Sequence, residues 1–246
     1  MIIYGCKEGD FMMKMILFDL DGTLLPMDQE AFTKAYFKLL AAKFASYGFE
    51  AKPLIDTIWA GTAAMVKNDG SRNNEAVFWE MFEKTFGTEK TLLAKTHFND
   101  FYTKDFNEAK SCCGYNPKAI QAVKKAKQLG YRVVLATNPI FPKVATKNRT
   151  RWAGLSFDDF ELCTTYENTC YCKPNPEYYR DIAKRFAVNE EDCLMIGNDV
   201  SEDMIAASIG MKTFLLTNCL INTEQRDISA YPNGDFDQLI HYLEHI

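Results

Sequence analysis

The sequence predicts an α/β chain: a parallel sheet flanked by helices and interrupted after its first strand by an all-helical insertion. Three observations carry this reading. Met15, Ile16, Leu17 and Phe18 form a continuous apolar run closed by Asp19, as a strand buried on both faces would. Residues 27 to 110 show helical spacing and no strand, whereas from Asn116 short apolar strands alternate with helices. The lone first strand has no neighbour before the insertion, and its backbone groups need partners. It therefore joins the later sheet, which assigns residues 1–26 and 111–246 to the α/β core and 27–110 to the helical segment.

A chain of 246 residues with 47% apolar and 13% aromatic content can hold one large core plus an inserted module, and is too hydrophobic to be disordered. Its net charge of −5 argues against a nucleic-acid surface, which needs clustered lysine and arginine. No apolar run approaches membrane-spanning length, and no apolar stretch follows basic residues at the N-terminus. Neither a membrane span nor a secretory signal is expected. The eight cysteines lack a paired framework, and reduced thiols in a cytoplasmic protein are the simpler account. Cys163, Cys170 and Cys172 lack a C-x-x-C pair and a clear fourth zinc ligand. His241 and His245, four apart on a helix, could share a metal but read more simply as exposed.

In chain order, residues 1 to 14 have little periodicity. With Met12, Met13 and Met15 each a possible start, they read as an edge element or a misplaced start. In the insertion, Phe32, Tyr36, Leu39, Leu40 and Phe44 recur at helical spacing up to a stop at Gly48. Pro53 suits the first turn of a second helix bearing Leu54, Ile55, Ile58 and Trp59. Two more helices are expected over 76–86, ended by Gly87, and over 92–106, and the aromatic stripe of this block reads as helix packing. In the core, helices are expected at 117–129, 141–152, 177–186, 201–209 and 236–243. Strands are expected at 131–136, 160–164, 193–196 and 212–216.

In parallel sheets the reactive site forms beyond the carboxyl ends of the strands, and polar groups stand at four of them. After the first come Asp19 and Asp21, two apart and therefore on one side of an extended chain, then Gly22 for an abrupt turn. After the second stand Thr137 and Asn138, offering a hydroxyl and a backbone N–H. Lys173 follows the third, stiffened by Pro174 and Pro176. After the fourth, Asp199 and Asp203 lie four apart and can face one way at a helix start. The spacing from Asp19 to Glu30 imitates a calcium loop, but Leu24 stands where that loop needs glycine. Ordinary turn chemistry explains Asp21 and Gly22 but not the downstream carboxylates. Four carboxylates beside one ammonium call for a hard cation with oxygen ligands, and Mg²⁺ suits a site that also binds phosphate.

The set DLDGT, the strand ending in Thr137, Lys173 before a proline, and GNDVSED resembles the four motifs of the haloacid dehalogenase superfamily, in order. The likeness covers residues 15–25 and about 115–216. Pro139 after Asn138, and Asn198 between Gly197 and Asp199, are this chain's departures from the usual pattern. The resemblance implies a Rossmann-like, doubly wound core with the helical insertion as a mobile cap. It implies that Asp19 is a nucleophile forming an aspartyl-phosphate, and that Asp21 is general acid and then base. Asp19, the Asp21 carbonyl and Asp199 would hold Mg²⁺, with Asp203 ligating through water or orienting Lys173. Thr137, Asn138 and Lys173 would bind the phosphoryl group. The second aspartate separates phosphatases from the dehalogenase branch.

The expected function is thus a Mg²⁺-dependent phosphatase acting on a small phosphorylated metabolite. A phosphomutase of the same family, and a regulatory protein that binds phosphate and metal without turnover, are the alternatives. A pocket without turnover would have no need of the Asp21 proton donor. Of the cap residues, Lys34, Trp59, Lys67 and Arg72 are candidates to face the site, though packing or solvation is the simpler account of each.

Overall fold

The computed structural model describes residues 14–246; the reading of the leader before Lys14 lies outside the described residues. Six parallel strands form one sheet in the order β3-β2-β1-β4-β5-β6. They are β1 (Met15–Phe18), β2 (Arg132–Leu135), β3 (Leu162–Cys163), β4 (Cys193–Gly197), β5 (Lys212–Leu216) and β6 (Asn233–Gly234). The predicted first strand is central, with Phe18 in register with both Leu135 and Ile196. Its alternate side chains serve two cores. Ile16 and Phe18 pack with α4 (Pro117–Gln128) and α7 (Phe236–Leu243), while Met15 and Leu17 pack with α6 (Pro176–Arg185). Connections leave β1 and β4 in opposite directions, which opens a crevice beyond their carboxyl ends.

The chain turns sharply as it leaves β1. Gly22 sits at φ +84°, donating its N–H to the Leu25 carbonyl at 2.8 Å, while Leu25 N–H returns to the Leu20 carbonyl at 2.8 Å. A Cβ at Gly22 would stand 2.4 Å from Asn198 Nδ2, so strain and collision coincide there. Gly22→Ala is expected to lower the unfolding free energy by about 1 to 3 kcal/mol. Urea denaturation measures this, and an unchanged midpoint would show that the turn relaxes freely.

The insertion comprises α1 (Gln29–Ala45), α2 (Ala51–Val66), α3 (Asn74–Thr103) and a 3-10 stretch, Asp105–Cys112. Asp28 caps α1 by accepting from Ala31 N–H at 2.9 Å. The two helices expected over 76–86 and 92–106 form one run, Asn74–Thr103, broken where Gly87 adopts φ 76° and ψ 168°. Chain enters and leaves the insertion side by side: Met27 bridges Cys113, and Gly114 N–H reaches the Pro26 carbonyl at 2.7 Å. A second tie is polar. Asn74 is fully buried at the start of α3, with its N–H on the Thr169 carbonyl at 2.9 Å and its Nδ2 3.2 Å from Cys172 Sγ. The insertion thereby grips the loop that leads into Lys173.

Elsewhere the elements start or end differently for identifiable reasons. Helix α5 (Lys143–Trp152) begins after Pro142, which takes the N-cap position. The helix expected over 201–209 is instead a 3-10 stretch, Met204–Ile209. Asp199 Oδ1 there accepts from Ser201 and Glu202 N–H at 2.7 and 2.9 Å, holding those donors in a side-chain-bonded turn. The two-residue strand β6 lacks any apolar signal and was not anticipated.

Candidate active site

Asp19 is the first residue past β1, fixed by its N–H on the Ile196 carbonyl at 2.9 Å. Its Oδ1 accepts from Lys173 Nζ at 2.8 Å and its Oδ2 from Thr23 Oγ1 at 2.9 Å. Thr23 Oγ1 also lies 2.8 Å from Asn198 Oδ1, whose amide is oriented by Nδ2 donating to the Cys219 carbonyl at 2.7 Å. A hydroxyl has one proton, so Thr23 serves only one of these acceptors at a time. The Lys173 side chain is fully buried and also donates to Asp203 Oδ1 at 2.6 Å. Burial alone would push this ammonium towards neutrality. The Asp19 and Asp203 carboxylates reverse that and hold its pKa well above the ordinary 10.5. Asp203 Oδ2 accepts from Asp199 N–H at 3.0 Å.

Asp21 faces the same space, but its partner was not anticipated. Its Oδ2 pairs with the guanidinium of Arg149 on α5, and its Oδ1 is buried without a hydrogen bond. Burial raises the Asp21 pKa above its ordinary 3.8; Arg149 opposes the rise and the neighbouring Asp19 adds to it. Arg149 is 1% exposed, its Cζ lies 4.3 Å from the centroid of the Phe141 ring, and its Nη2 reaches Thr146 Oγ1 at 3.4 Å. A signal existed. Arg149 follows Ala145 by four and precedes Trp152 by three, on the buried stripe of α5, where an arginine needs an anion.

Thr137 is held by its carbonyl, which accepts from Thr164 Oγ1 at 2.7 Å and Tyr178 OH at 2.9 Å. Its own hydroxyl makes no hydrogen bond among the described residues. Asn138 Nδ2 lies 3.1 Å from both carboxylate oxygens of Glu202, while its Oδ1 is buried without a partner. Glu202 is a further acidic group, overlooked inside the run NDVSED; burial pushes its pKa up to about 8 against the pull of Lys173. Asp199 is half-buried, its Oδ1 engaged by two backbone N–H groups and its Oδ2 unbonded among the described residues. Asp19, Asp21, Thr137, Asn138, Asp199 and Asp203 all line one cavity of about 280 Å³. Glu202 and Arg149 line it too. The charge balance therefore includes an acid and a base that the sequence reading lacked.

Of the four cap candidates, Trp59 reaches this cavity. Lys34, Lys67 and Arg72 are not in its lining; Lys34 pairs with Glu30 and Arg72 with Glu80 at exposed surface. Cys163 Sγ contacts the Phe157 carbonyl at 3.9 Å, so this thiol and Cys172 take part in packing. His241, Glu244 and His245 bring ligand atoms within 4.8 Å of one another at the exposed C-terminal end of α7, where Glu244 also pairs with Lys125. Among the described residues no helix is long and apolar enough to cross a membrane.

Residues 13–209 match the family model of haloacid dehalogenase-like hydrolases. The Bacillus subtilis (strain 168) protein described as "Putative phosphatase YhcW" is 28% identical over 215 residues, covering 86% of this chain and 87% of its own. A glyceraldehyde 3-phosphate phosphatase of Methanothermobacter thermautotrophicus is 23% identical over 216 residues, covering 88% and 90%. Among solved structures, the Bacillus subtilis "putative HAD-hydrolase YfnB", bound to magnesium, superposes with a TM-score of 0.54 at 18% identity. That match covers 96% of this chain and 100% of the other, and is a likeness of fold.

Proposed function

The chain belongs to the haloacid dehalogenase-like hydrolases and is an enzyme of the phosphatase kind; from that premise we propose that it hydrolyses the phosphomonoester of a small metabolite with Mg²⁺, by way of a phosphoryl group carried on Asp19. One observation carries the reading. Lys173 Nζ, buried just behind the cavity lining, sits 2.8 Å from Asp19 and 2.6 Å from Asp203, and both carboxylates line the cavity that Asp21 faces, which groups a nucleophile, its electrostatic support and a proton carrier.

Lys173, the Thr137 hydroxyl and the Asn138 backbone N–H receive the phosphoryl oxygens and aim the phosphorus at Asp19. An Asp19 carboxylate oxygen bonds to phosphorus as the ester P–O bond breaks. Asp21 gives a proton to the departing oxygen, a step helped by the burial that raises its pKa above 3.8 and opposed by the Arg149 guanidinium. The Asp21 carboxylate then takes a proton from water as the water oxygen bonds to phosphorus. The Asp19–phosphorus bond breaks, inorganic phosphate leaves and both carboxyl groups return to their starting states.

The donor set suits Mg²⁺. It is all oxygen, and its acidic groups outnumber Lys173 and Arg149. Asp19, the Asp21 carbonyl and Asp199 would hold the ion, Asp199 with an oxygen that no other described group engages. When bound, the ion neutralises charge on the phosphoryl oxygens. A phosphomutase would need to seat a second phosphate deeper in the cavity, where the insertion offers no cation, so release to water is favoured. With p-nitrophenyl phosphate, the rate in EDTA is expected to fall by roughly 100-fold or more relative to Mg²⁺. Equal rates in the two would overturn the metal-dependent reading.

A further inference from the structure

The cavity wall opposite the carboxylates comes from the insertion, and it carries no charge. Phe32, Tyr36, Phe37, Trp59, Trp79 and Tyr102 give it aromatic side chains. Among the described residues no lysine, arginine or histidine between 29 and 112 lines it. Arg149, the lining cation, is committed to Asp21. The hydroxyls of Tyr36 and Tyr102 lie 2.8 Å apart, so one donates to the other and a single O–H is left over. Apart from these and the Trp59 and Trp79 indoles, Gln29, Thr33 and Thr62 are the polar side chains on that side.

Resting on the phosphatase reading above, we infer that the substrate is the phosphomonoester of an uncharged alcohol whose body is aromatic or apolar and about one ring in size. A leaving group with a carboxylate or second phosphate would bury that charge against ring faces with no counter-ion. A polyol would strip water from several hydroxyls and find few partners in return. Size points the same way. A cavity of roughly 150 Å³ accepts benzene, so about 280 Å³ leaves space for a single ring beside the phosphoryl group. At the rim, Trp59 remains 52% exposed, its ring 5.3 Å from that of Phe37. That is apolar surface a bound ring would cover. Such contacts with the non-reacting body supply binding energy that can be used at the phosphorus.

The test compares kcat/KM of the whole protein with Mg²⁺ on benzyl phosphate, glycerol 3-phosphate and phosphoglycolate. All three release alkyl alcohols, so leaving-group chemistry does not decide the order. Benzyl phosphate is expected to lead by about 100-fold or more. Trp59→Ala is expected to lower kcat/KM on benzyl phosphate by about 10-fold and on phosphoglycolate by distinctly less. Because Trp59 is half-exposed, its removal leaves the core intact. Calorimetry of benzylphosphonate binding to Asp19→Asn, with and without Trp59→Ala, reads the same contact without turnover. Equal or faster hydrolysis of either polar ester, or no hydrolysis of benzyl phosphate by a protein active on p-nitrophenyl phosphate, overturns this substrate class and leaves the phosphatase reading standing. Phosphate release from none of the four compounds brings down the phosphatase reading itself.

Discussion

Asp19→Asn is expected to fold like the parent and to release phosphate at no more than about one thousandth of its rate. The substitution removes the attacking oxygen's charge and changes little else. An asparagine Oδ1 can still accept from Lys173, and its Nδ2 can donate to Thr23 Oγ1. Thr23, which in the parent divides one proton between Asp19 Oδ2 at 2.9 Å and Asn198 Oδ1 at 2.8 Å, would then donate to Asn198 alone. The hydrogen-bond network is better satisfied, which offsets the weaker pairing with Lys173. Thermal unfolding should therefore shift by only a few degrees while phosphate release collapses. Full activity in a folded Asp19→Asn protein would remove Asp19 from the chemistry; a variant that fails to fold would show that Lys173 depends on that charge for its place.

The legible part of this site is local. Asp19, Asp21, Thr137 and Asp199 each stand within a few residues of a strand end, and an apolar run closing on a polar group is a pattern one segment can display. Lys173 was legible too, although a loop separates it from the two-residue β3. Arg149 was not legible in this way, because it reaches Asp21 from the middle of α5 across 128 residues of sequence. The spacing of Ala145, Arg149 and Trp152 marks an inward stripe of that helix, but which anion Arg149 meets there is set by packing. Glu202 was hidden differently: it stands among acidic neighbours, and the turn bonded to Asp199 Oδ1 ahead of the 3-10 stretch holds it where its carboxylate meets Asn138. In the insertion the helical periodicity was correct, but which aromatics line the cavity depends on the packing of α1 to α3 over the sheet. The break in α3 at Gly87, where φ is 76° and ψ 168°, was legible as a glycine stop.

Arg149→Met is expected to cost about 3 to 5 kcal/mol of stability near neutral pH, because it leaves the Asp21 carboxylate in a confined site without its counter-ion. Methionine keeps much of the packing against Phe141, so the loss reports mainly the missing charge. Its pH dependence has a definite sign. Burial already raises the folded-state pKa of Asp21 above 3.8, and Arg149 restrains that rise. Removing the restraint raises the folded value further. An acid whose pKa is higher in the folded state destabilises the fold as pH climbs from its unfolded value through its folded one, so the penalty should be smaller at about pH 4.5 than at about pH 7.5. Arg149→Lys should recover little, since an ammonium lacks the flat surface that stacks on Phe141 and the fork that reaches Thr146. The double variant Arg149→Met/Asp21→Asn, in contrast, removes both charges and should be more stable than Arg149→Met alone. Urea unfolding of the four proteins at the two pH values decides the matter. A loss that is the same at both pH values, or that the second substitution deepens, would mean that Arg149 supports α5 by packing and that Asp21 keeps its charge without it.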